Sequence, residues 1–421
     1  MTAIELGPFP TDPAYTEAVE SDGTDPLRSF RSRFVAPDPD LIYLDGNSLG
    51  RLPVDTISRI QEVVDVEWGS QLIRSWPERW WNLADELGSQ LARLIGAAPE
   101  AVVVADSTSV ILYKLTTSAM QARPKRKRIV TDNLNFPTDI YVAGAVGEVS
   151  VVVVSPWDDD PEQTLIDALD ANTALLLLSH VAFKSGYLYD MERLTRAAHE
   201  AGALVLWDLS HSVGVVPIDL TGCDVDLATG CTYKYLNGGP GAPAFLYVSP
   251  NLEMENPLPG WWGHRDPFSF STDFEPADSI HRFQTGTMPI LSLSAIEPAI
   301  NLVAEAGLEA IRAKSVELSE FFSRLSDRLL QPLGFSLASP RDSKRRGSHV
   351  SLQHRDGWRA TQALIKDGKV IPDFRAPDNI RFGFAPLYTS FVDVHTSVMR
   401  LTELFAVDAM SRHPDTRGSV S

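Results

Sequence analysis

Residues 203–241 read ALVLWDLSHSVGVVPIDLTGCDVDLATGCTYKYLNGGPG, and they contain two short apolar runs that are each followed by polar residues. The first run ends at Asp208, and the second, DLATG (226–230), is followed by Lys234 between two tyrosines. Continuous apolar runs of this length are typical of strands covered on both faces of a parallel sheet. The stretch therefore predicts two strands whose carboxyl ends are followed by an aspartate and a lysine.

The same alternation extends on both sides of this stretch. A helical pattern at 191–202, opened by Asp190 and closed near Gly202, lies between two of the apolar runs. Such alternation predicts a mostly parallel α/β sheet, which binds ligands beyond the carboxyl ends of its strands. The strand candidates are 101–105, 128–132, 149–155, 174–181, 203–210, 226–230 and 244–248.

The sequence changes character after Pro289. A long helical pattern follows, in which Pro298 and Gly307 predict breaks. The remaining sequence is mixed, and it contains strand candidates at 349–355 and 379–386. This part of the chain predicts a second unit of α+β character.

The chain has 421 residues, which is long enough for two domains with a large buried core. We predict a large α/β domain over residues 66–299. We predict that residues 1–65 and 300–421 together form a smaller α+β domain.

Composition excludes several kinds of partner and site. The formal net charge is −18, so the protein as a whole does not attract nucleic acid or an anionic membrane. The N-terminal region lacks the layout of a signal peptide, and no apolar run approaches the ~20 residues of a spanning helix. We therefore expect a cytoplasmic location. The only cysteines, Cys223 and Cys231, exclude a disulfide framework and a four-cysteine zinc site, and we expect no metal.

Two motif matches favour other functions. G-N-S-L-G (46–50) matches the nucleophile elbow of serine hydrolases, but a segment ending at Pro53 separates it from the next helix. G-P-G-A-P-A (239–244) loosely matches a dinucleotide-binding loop, but Pro243 lies where the helix should begin, and a strand follows. We reject the dinucleotide site and keep a serine hydrolase as an alternative.

Polar residues that suit one cofactor follow the predicted strands. Ser107 and Thr108 open a helix, whose free backbone N–H groups can hold a phosphate. Asp208 can keep a pyridine nitrogen protonated, and Lys234 can hold an aldehyde as a Schiff base. These are the requirements of pyridoxal phosphate (PLP), and the spacing of 26 residues from Asp208 to Lys234 is typical of fold-type I PLP enzymes. Taken singly, these residues also fit helix caps, a turn and a solvated loop.

A series of ordered motifs makes the comparison more specific. They are YLDGNSLGRLP (43–53), FPTD (136–139), DLSHSVG (208–214), TYKYLNGGPG (232–241), GWWGH (260–264) and IRFGFAPLY (380–388). On these motifs the chain, from about residue 41 to residue 394, resembles the kynureninase family, PLP-dependent hydrolases that split L-kynurenine into anthranilate and L-alanine. The resemblance implies a fold-type I PLP-dependent transferase architecture, with a mostly parallel seven-stranded sheet in the large domain and a smaller α+β domain.

The resemblance implies roles for individual residues. Lys234 resembles the Schiff-base lysine, and Asp208 resembles the partner of the pyridine nitrogen. Phe136 resembles the aromatic residue that stacks on the cofactor ring, and we expect Tyr233 to relay protons beside the phosphate. The other positions implied in cofactor binding are Ser107, Thr108, Pro137, Thr138, Asp139, Ser179, His211, Trp261 and Thr287.

Four residues are implied in substrate binding. Arg381 resembles the arginine that grips the α-carboxylate of the substrate, and a planar guanidinium suits bidentate pairing with a carboxylate. His264 resembles a residue that lines the pocket for the aryl ring. Asn47 and Ser48 are the other two predicted substrate-binding residues.

Three positions bear on assembly and substrate choice. Trp261 and Thr287 resemble residues that reach across from the partner subunit, which implies a homodimer with shared active sites. Gly286 and Thr287 resemble bacterial members of the family that prefer unsubstituted kynurenine, whereas animal members that favour 3-hydroxykynurenine carry Ser-Asn there. We expect the bacterial preference, and leave open whether the pathway is tryptophan degradation, NAD formation or secondary metabolism.

Three functions stay open. The favoured function is hydrolytic Cβ–Cγ cleavage of L-kynurenine, with 3-hydroxykynurenine as the alternative substrate. The second is another fold-type I activity, such as an aminotransferase or a cysteine desulfurase-like lyase, but a desulfurase needs a mobile catalytic cysteine, and Cys223 and Cys231 lie around the lysine strand. The third is a serine hydrolase or a binding protein without catalytic activity.

Overall fold

The computed structural model describes residues 12–416, so the ends of the predicted smaller domain, 1–11 and 417–421, lie outside the described residues. The strands are β1 (Ile42–Tyr43), β2 (Val102–Ala105), β3 (Arg128–Asp132), β4 (Glu148–Val152), β5 (Thr173–Ser179), β6 (Leu204–Asp208), β7 (Leu227–Gly230), β8 (Ala244–Val248), β9 (Ser336–Leu337), β10 (His349–Gln353), β11 (Val370–Ile371), β12 (Asp373–Arg375) and β13 (Asn379–Gly383). The α-helices are α1 (Pro13–Thr24), α2 (Val54–Glu62), α3 (Leu83–Leu94), α4 (Thr108–Ala122), α5 (Pro137–Val146), α6 (Pro161–Asp167), α7 (Met191–Glu200), α8 (Ile290–Ala306), α9 (Leu308–Leu325), α10 (Gly357–Lys366) and α11 (Phe391–Ala406).

A seven-stranded sheet has the order β2-β8-β7-β6-β5-β3-β4. Strand β8 runs antiparallel to its neighbours β2 and β7, and all other pairs are parallel. Strands β5 to β8 are buried along their whole length, as their continuous apolar runs predict, whereas the edge strand β4 is partly exposed. The predicted mostly parallel sheet is confirmed, and each of the seven strand candidates contributes to it.

The parallel register brings the ends of three strands together. Ser179 at the end of β5 pairs with Asp208 at the end of β6, and Asp208 in turn pairs with Thr229 of β7. Lys234 lies in the loop that follows β7. The aspartate and the lysine therefore reach the same edge of the sheet, where parallel sheets bind their ligands.

Two helices test the predicted helix ends. Helix α7 begins after Asp190 and ends before Gly202, as predicted. The predicted break at Pro298 is wrong, because α8 continues through this proline and ends before Gly307, which adopts a φ of 78°. An interior proline removes one backbone hydrogen bond, and the extensive buried apolar surface of α8 offsets that loss.

The described residues form two hydrophobic cores. The larger core surrounds the seven-stranded sheet, and the smaller one surrounds a second sheet of order β12-β13-β10-β9 together with α9, α10 and α11. Strands β10 and β13 are those predicted within 349–355 and 379–386. The domain boundaries after residues 65 and 299 stay a prediction, and the second one falls inside α8.

Within residues 12–416, no single helix is both long and apolar enough to cross a membrane. Helix α8 and the helical segment 308–333 meet the criteria of length and composition only as a pair, which is bent by 81°. The same part of the chain holds no group of three or more His, Cys, Asp and Glu side chains that could bind a metal ion.

A buried lysine connects the N-terminal segment to α9. Lys314 Nζ lies 2.7 Å from Asp25 Oδ2 and donates a hydrogen bond to the carbonyl of Pro386 at 2.6 Å. The side chains of Lys314 and Asp25 are only 6% and 3% exposed. Each charge therefore depends on the other for its stabilisation.

Replacing Lys314 by methionine is expected to reduce the free energy of unfolding by about 3–5 kcal/mol, because Asp25 would keep a buried charge without a counter-ion. Lys369 is a matched control, since it pairs with Asp38 and Asp40 while 52% exposed. Lys369→Met is expected to cost about 0–1 kcal/mol. Denaturant unfolding measures both variants, and equal losses would contradict the importance of the buried pair.

Candidate active site

A cavity of about 210 Å³ lies at the carboxyl edge of the seven-stranded sheet. A larger groove of about 700 Å³, between Trp157 and Arg341, contains none of the predicted site residues. The predicted site residues that line the smaller cavity are Asn47, Ser48, Thr108, Phe136, Thr138, Asp139, Asp208, His211, Tyr233, Lys234 and Arg381. Its lining also includes Ser109, Leu112, Ser210 and Arg375, which the sequence motifs did not single out.

The amine of Lys234 lies between a histidine and an aromatic ring. Lys234 Nζ is 3.3 Å from His211 Nε2 and 6.0 Å from the centre of the Phe136 ring. Burial and the nearby Lys234 lower the pKa of His211 well below its ordinary value, so this imidazole is neutral. A neutral imidazole offers one ring nitrogen as an acceptor. His211 can therefore orient the lysine amine.

Two buried acids lie close to this amine. Asp208 Oδ1 accepts hydrogen bonds from the backbone N–H and the hydroxyl of Ser210. Burial and the negative charge of Asp208 raise the pKa of Asp139 well above its ordinary value. The Oδ2 atom of Asp139 is buried without a hydrogen-bond partner among the described residues.

Helix α4 presents its N-terminus to the cavity. The helix begins at Thr108 after Ser107, and its first backbone N–H groups have no acceptor within the helix. The preceding residue, Asp106, has a φ of 45° and pairs with the fully buried Lys114 at 2.6 Å. Lys114 also donates to Thr285 Oγ1 at 2.6 Å, so it fixes the turn before the helix. This N-terminus can bind a phosphate.

Phe136 and its neighbours form another wall. Phe136 precedes Pro137, the first residue of α5, and its ring meets Phe183 edge to face at 5.3 Å. Ser179 lies deeper, at the end of β5, and donates a hydrogen bond to Asn135 Oδ1. Ser107, Pro137 and Ser179 flank the cavity without lining it.

Arg381 is buried in the lining of the cavity, and its guanidinium group makes several contacts with other groups of the protein. Its Nε donates to Asp373 Oδ2 at 2.6 Å, and its Nη2 donates to Ser48 Oγ at 3.1 Å. Its Nη1 donates to the carbonyl oxygen of Phe183. Asp373 lies directly opposite Arg381 in the antiparallel pair of β12 and β13. The guanidinium is therefore held rigidly by groups of the protein itself.

The G-N-S-L-G turn has a packing role. The N–H of Gly50 donates to the carbonyl of Tyr233 at 2.8 Å, and a Cβ on Gly50 would lie 2.4 Å from the carbonyl oxygen of Lys234. Ser48 accepts a hydrogen bond from Arg381, whereas a nucleophilic serine needs an adjacent base. The turn thus supports the lysine loop, and the serine hydrolase alternative has no structural support.

Three predicted site residues lie outside the cavity of their own chain. Trp261 and His264 line a separate surface cavity of about 420 Å³, and Thr287 is exposed. The His264 ring packs edge to face on Phe274. A contribution of Trp261 and Thr287 to the site of a partner subunit stays a prediction, and so does the role of His264 in lining the pocket for the aryl ring.

Known proteins resemble this chain over nearly its whole length. The family model described as kynureninase C-terminal domain matches residues 311–401. The kynureninase of Burkholderia mallei (strain SAVP1) is 45% identical over 415 residues, covering 96% of this chain and 99% of that protein. The chain belongs to the kynureninase family. The kynureninase of Pseudomonas fluorescens is 43% identical over 390 residues, covering 91% of this chain and 93% of that protein.

Solved structures of lower identity share the fold. A cysteine desulfurase from Thermococcus onnurineus NA1 has a TM-score of 0.75 and 18% identity, covering 92% of this chain and 98% of its own. A C-DES variant with glycine covalently linked to PLP has a TM-score of 0.76 and 18% identity, covering 87% of this chain and 100% of its own. At this identity the two structures show the fold alone, which is that of fold-type I PLP enzymes.

The residues of this kynureninase-family chain fit PLP. Lys234 supplies an amine for the aldehyde, Asp208 supplies an acid for the pyridine nitrogen, and the N-terminus of α4 supplies donors for the phosphate. The ring of Phe136 offers an apolar surface beside the amine. The unpartnered Oδ2 of Asp139 is a buried polar atom that a bound cofactor can satisfy.

Replacing Gly50 by alanine is expected to weaken PLP binding about tenfold, because the new Cβ would collide with the loop that holds Lys234. Gly144→Ala is the control, since a Cβ on this residue of α5 would meet open space. That variant should bind PLP as the wild type does. Absorbance titration of the apoprotein with PLP measures both affinities, and equal affinities would contradict the close approach of Gly50 to the lysine loop.

Proposed function

We propose that the protein hydrolyses the Cβ–Cγ bond of L-kynurenine to give anthranilate and L-alanine. The observation that carries this proposal is a single cavity that joins Lys234, Asp208 and Arg381. The chain around it is 45% identical to a kynureninase over 96% of its length. The family membership gives the reaction class, and the cavity supplies candidate residues for the proton-transfer steps.

PLP, when bound, withdraws electrons from the bonds around the substrate α-carbon. Lys234 Nζ removes a proton at that carbon, and His211 Nε2 holds the amine in place. Asp208 stabilises positive charge on the pyridine nitrogen. The two hydrogen bonds that Ser210 donates to Asp208 keep the carboxylate oriented, so it need not rearrange during the reaction.

Tyr233 is placed to donate a proton in the later steps. It lines the cavity next to Lys234. The neighbouring Cys231 and burial raise the pKa of Tyr233, so the phenol stays protonated over the working pH range. A protonated phenol beside the cavity can protonate a carbanion at the β-carbon and be reprotonated from solvent.

The cysteine desulfurase alternative is not supported by the positions of the thiols. Cys231 is buried and Cys223 is half-buried, and both are free. Neither side chain lines the cavity that contains Lys234. A thiol that attacks a bound substrate would have to reach that cavity.

Adding L-kynurenine to the PLP-loaded protein is expected to produce anthranilate, which fluorescence detects. Lys234→Ala should abolish turnover, and Tyr233→Phe should retain PLP but turn over about 10²–10⁴-fold more slowly. Tyr235→Phe is the matched control, since Tyr235 is buried outside the cavity lining, and it should stay close to wild type. No anthranilate from the wild type would refute the function, and wild-type rates in Tyr233→Phe would refute the proton relay.

We propose a preference for unsubstituted kynurenine over 3-hydroxykynurenine. The support is the Gly286-Thr287 pair, which resembles bacterial members of the family. The expected result is a higher kcat/KM for L-kynurenine than for its 3-hydroxy derivative, measured on one enzyme preparation. A higher kcat/KM for the 3-hydroxy substrate would overturn the preference.

We propose that the protein is a homodimer with shared active sites. Trp261, Phe268 and Phe270 form a series of ring contacts while 44%, 61% and 79% exposed. Exposed aromatic patches mark interaction surfaces, and a second copy would cover this one while bringing Trp261 and Thr287 to its partner. The cytoplasmic location and the lack of nucleic-acid and membrane partners stay predictions from composition.

Mixing inactive variants tests the shared site. Hybrid dimers of Lys234→Ala and Trp261→Ala subunits contain one site with both residues intact, so activity should exceed that of either variant alone. Lys234→Ala mixed with Tyr233→Phe is the control, because both changes affect residues of the same chain's cavity and no hybrid site is intact. Equal recovery in the two mixtures would contradict the sharing.

A further inference from the structure

Strand β12 carries two charged residues on one face. Asp373 and Arg375 are separated by one residue, so their side chains share a face of the strand. In the antiparallel pair of β12 and β13, Asp373 lies opposite Arg381 and Arg375 lies opposite Asn379. Arg375 is therefore a diagonal cross-strand neighbour of Arg381, within reach of the same ligand.

Arg381 has little hydrogen-bonding capacity left for a substrate. A guanidinium has five N–H groups. The Nε and Nη2 groups both contact Asp373, Nη2 also reaches Ser48, and Nη1 reaches the carbonyl of Phe183. These contacts leave one N–H, on Nη1, for a carboxylate. A bidentate grip needs two donors, so Arg381 in this arrangement cannot supply it alone.

Arg375 supplies further N–H donors beside Arg381. Its side chain lines the cavity together with Arg381 and is 39% exposed. Its ion pair within residues 12–416 is through Nε, which lies 3.1 Å from the same Asp373 oxygen that binds Arg381. Its two Nη groups carry four further N–H donors. Asp373 Oδ2 therefore lies within ion-pairing distance of both guanidinium groups.

The charges of this cluster favour an anionic ligand. Asp45 is the second acid near the two arginines, and burial and the charge of Asp373 raise its pKa to about 7. At pH values below this pKa, Asp45 is therefore mostly protonated and offsets little of the positive charge of the two arginines. In the described part of the chain, Asp373 pairs with both arginines, and a substrate carboxylate would bring a second negative charge to these two cations.

We propose that Arg375 is a second substrate-binding residue, which holds one oxygen of the α-carboxylate while Arg381 holds the other. Asp373 is the shared anchor of the two arginines. This inference rests on the proposed function and extends it to a residue outside the motifs that mark the family. It adds a second arginine to the carboxylate binding that is expected of Arg381.

Arg375→Gln tests the proposal by removing the cation. The KM for L-kynurenine should rise about tenfold with kcat changed less than about threefold, because the carboxylate is bound equally before and during the reaction. A decarboxylated analogue that keeps the aryl ketone and the amine, used as a competitive inhibitor, should bind the variant and the wild type equally. Arg355→Gln, which removes the same charge from an exposed side chain outside the cavity, should leave the KM unchanged.

An unchanged KM in Arg375→Gln, or an equal loss of affinity for the decarboxylated analogue, would overturn the proposal. If Arg375→Gln does not fold, as judged by thermal unfolding and PLP absorbance, Arg375→Lys replaces it. That variant keeps the charge without the planar guanidinium, so a smaller rise in KM supports the proposal and no rise overturns it.

The turnover of the wild type distinguishes a failure of the proposed function from a failure of the role proposed for Arg375. An inactive wild type refutes the proposed function, whereas an active wild type with an unaffected Arg375→Gln refutes only the role of Arg375.

Discussion

The burial of charge at the carboxyl edge of the seven-stranded sheet is the constraint on which this site depends. Asp208 is buried at the end of β6, and Ser210 supplies two hydrogen bonds to one of its oxygens. A second carboxylate beside it is costly, and Asp139 responds with a raised pKa. The buried negative charge of Asp208 is itself unfavourable. A cationic ring bound beside Asp208 would reduce this desolvation cost, because it would neutralise the buried carboxylate. The chemistry of PLP matches this requirement.

The two hydrophobic cores supply different halves of the cavity. The sheet of the larger core positions the residues that are proposed to contact the cofactor, and the smaller sheet positions Arg381 and Arg375, which are proposed to bind the substrate. The G-N-S-L-G turn joins the halves, since Gly50 touches the lysine loop and a Cβ on Gly383 would collide with Asn47. The close approach at these two glycines therefore sets how near the carboxylate site lies to the lysine amine.

Most residues that line the cavity, Lys234 and Arg381 among them, were predictable from the sequence and its motifs, whereas Arg375 and the contacts that hold the site together were not. Asp208 and Lys234 each follow a strong apolar run, so the geometry of a parallel sheet is enough to bring them together. The contacts of Lys114 and Asp373 depend on tertiary packing and on strand register, which a single sequence does not reveal, although the D-F-R alternation of β12 is a weak signal. Pro298 shows the opposite error, because a local rule predicted a break that the packing of α8 overrides.

The most direct test is to locate PLP on the chain. Borohydride reduction of the PLP-loaded protein, followed by proteolysis and mass spectrometry, should find the pyridoxyl group on the peptide that contains Lys234. The same treatment of Lys234→Ala should leave every peptide unmodified. A pyridoxyl group on a different lysine of the wild type, or none at all, would contradict the central role of Lys234.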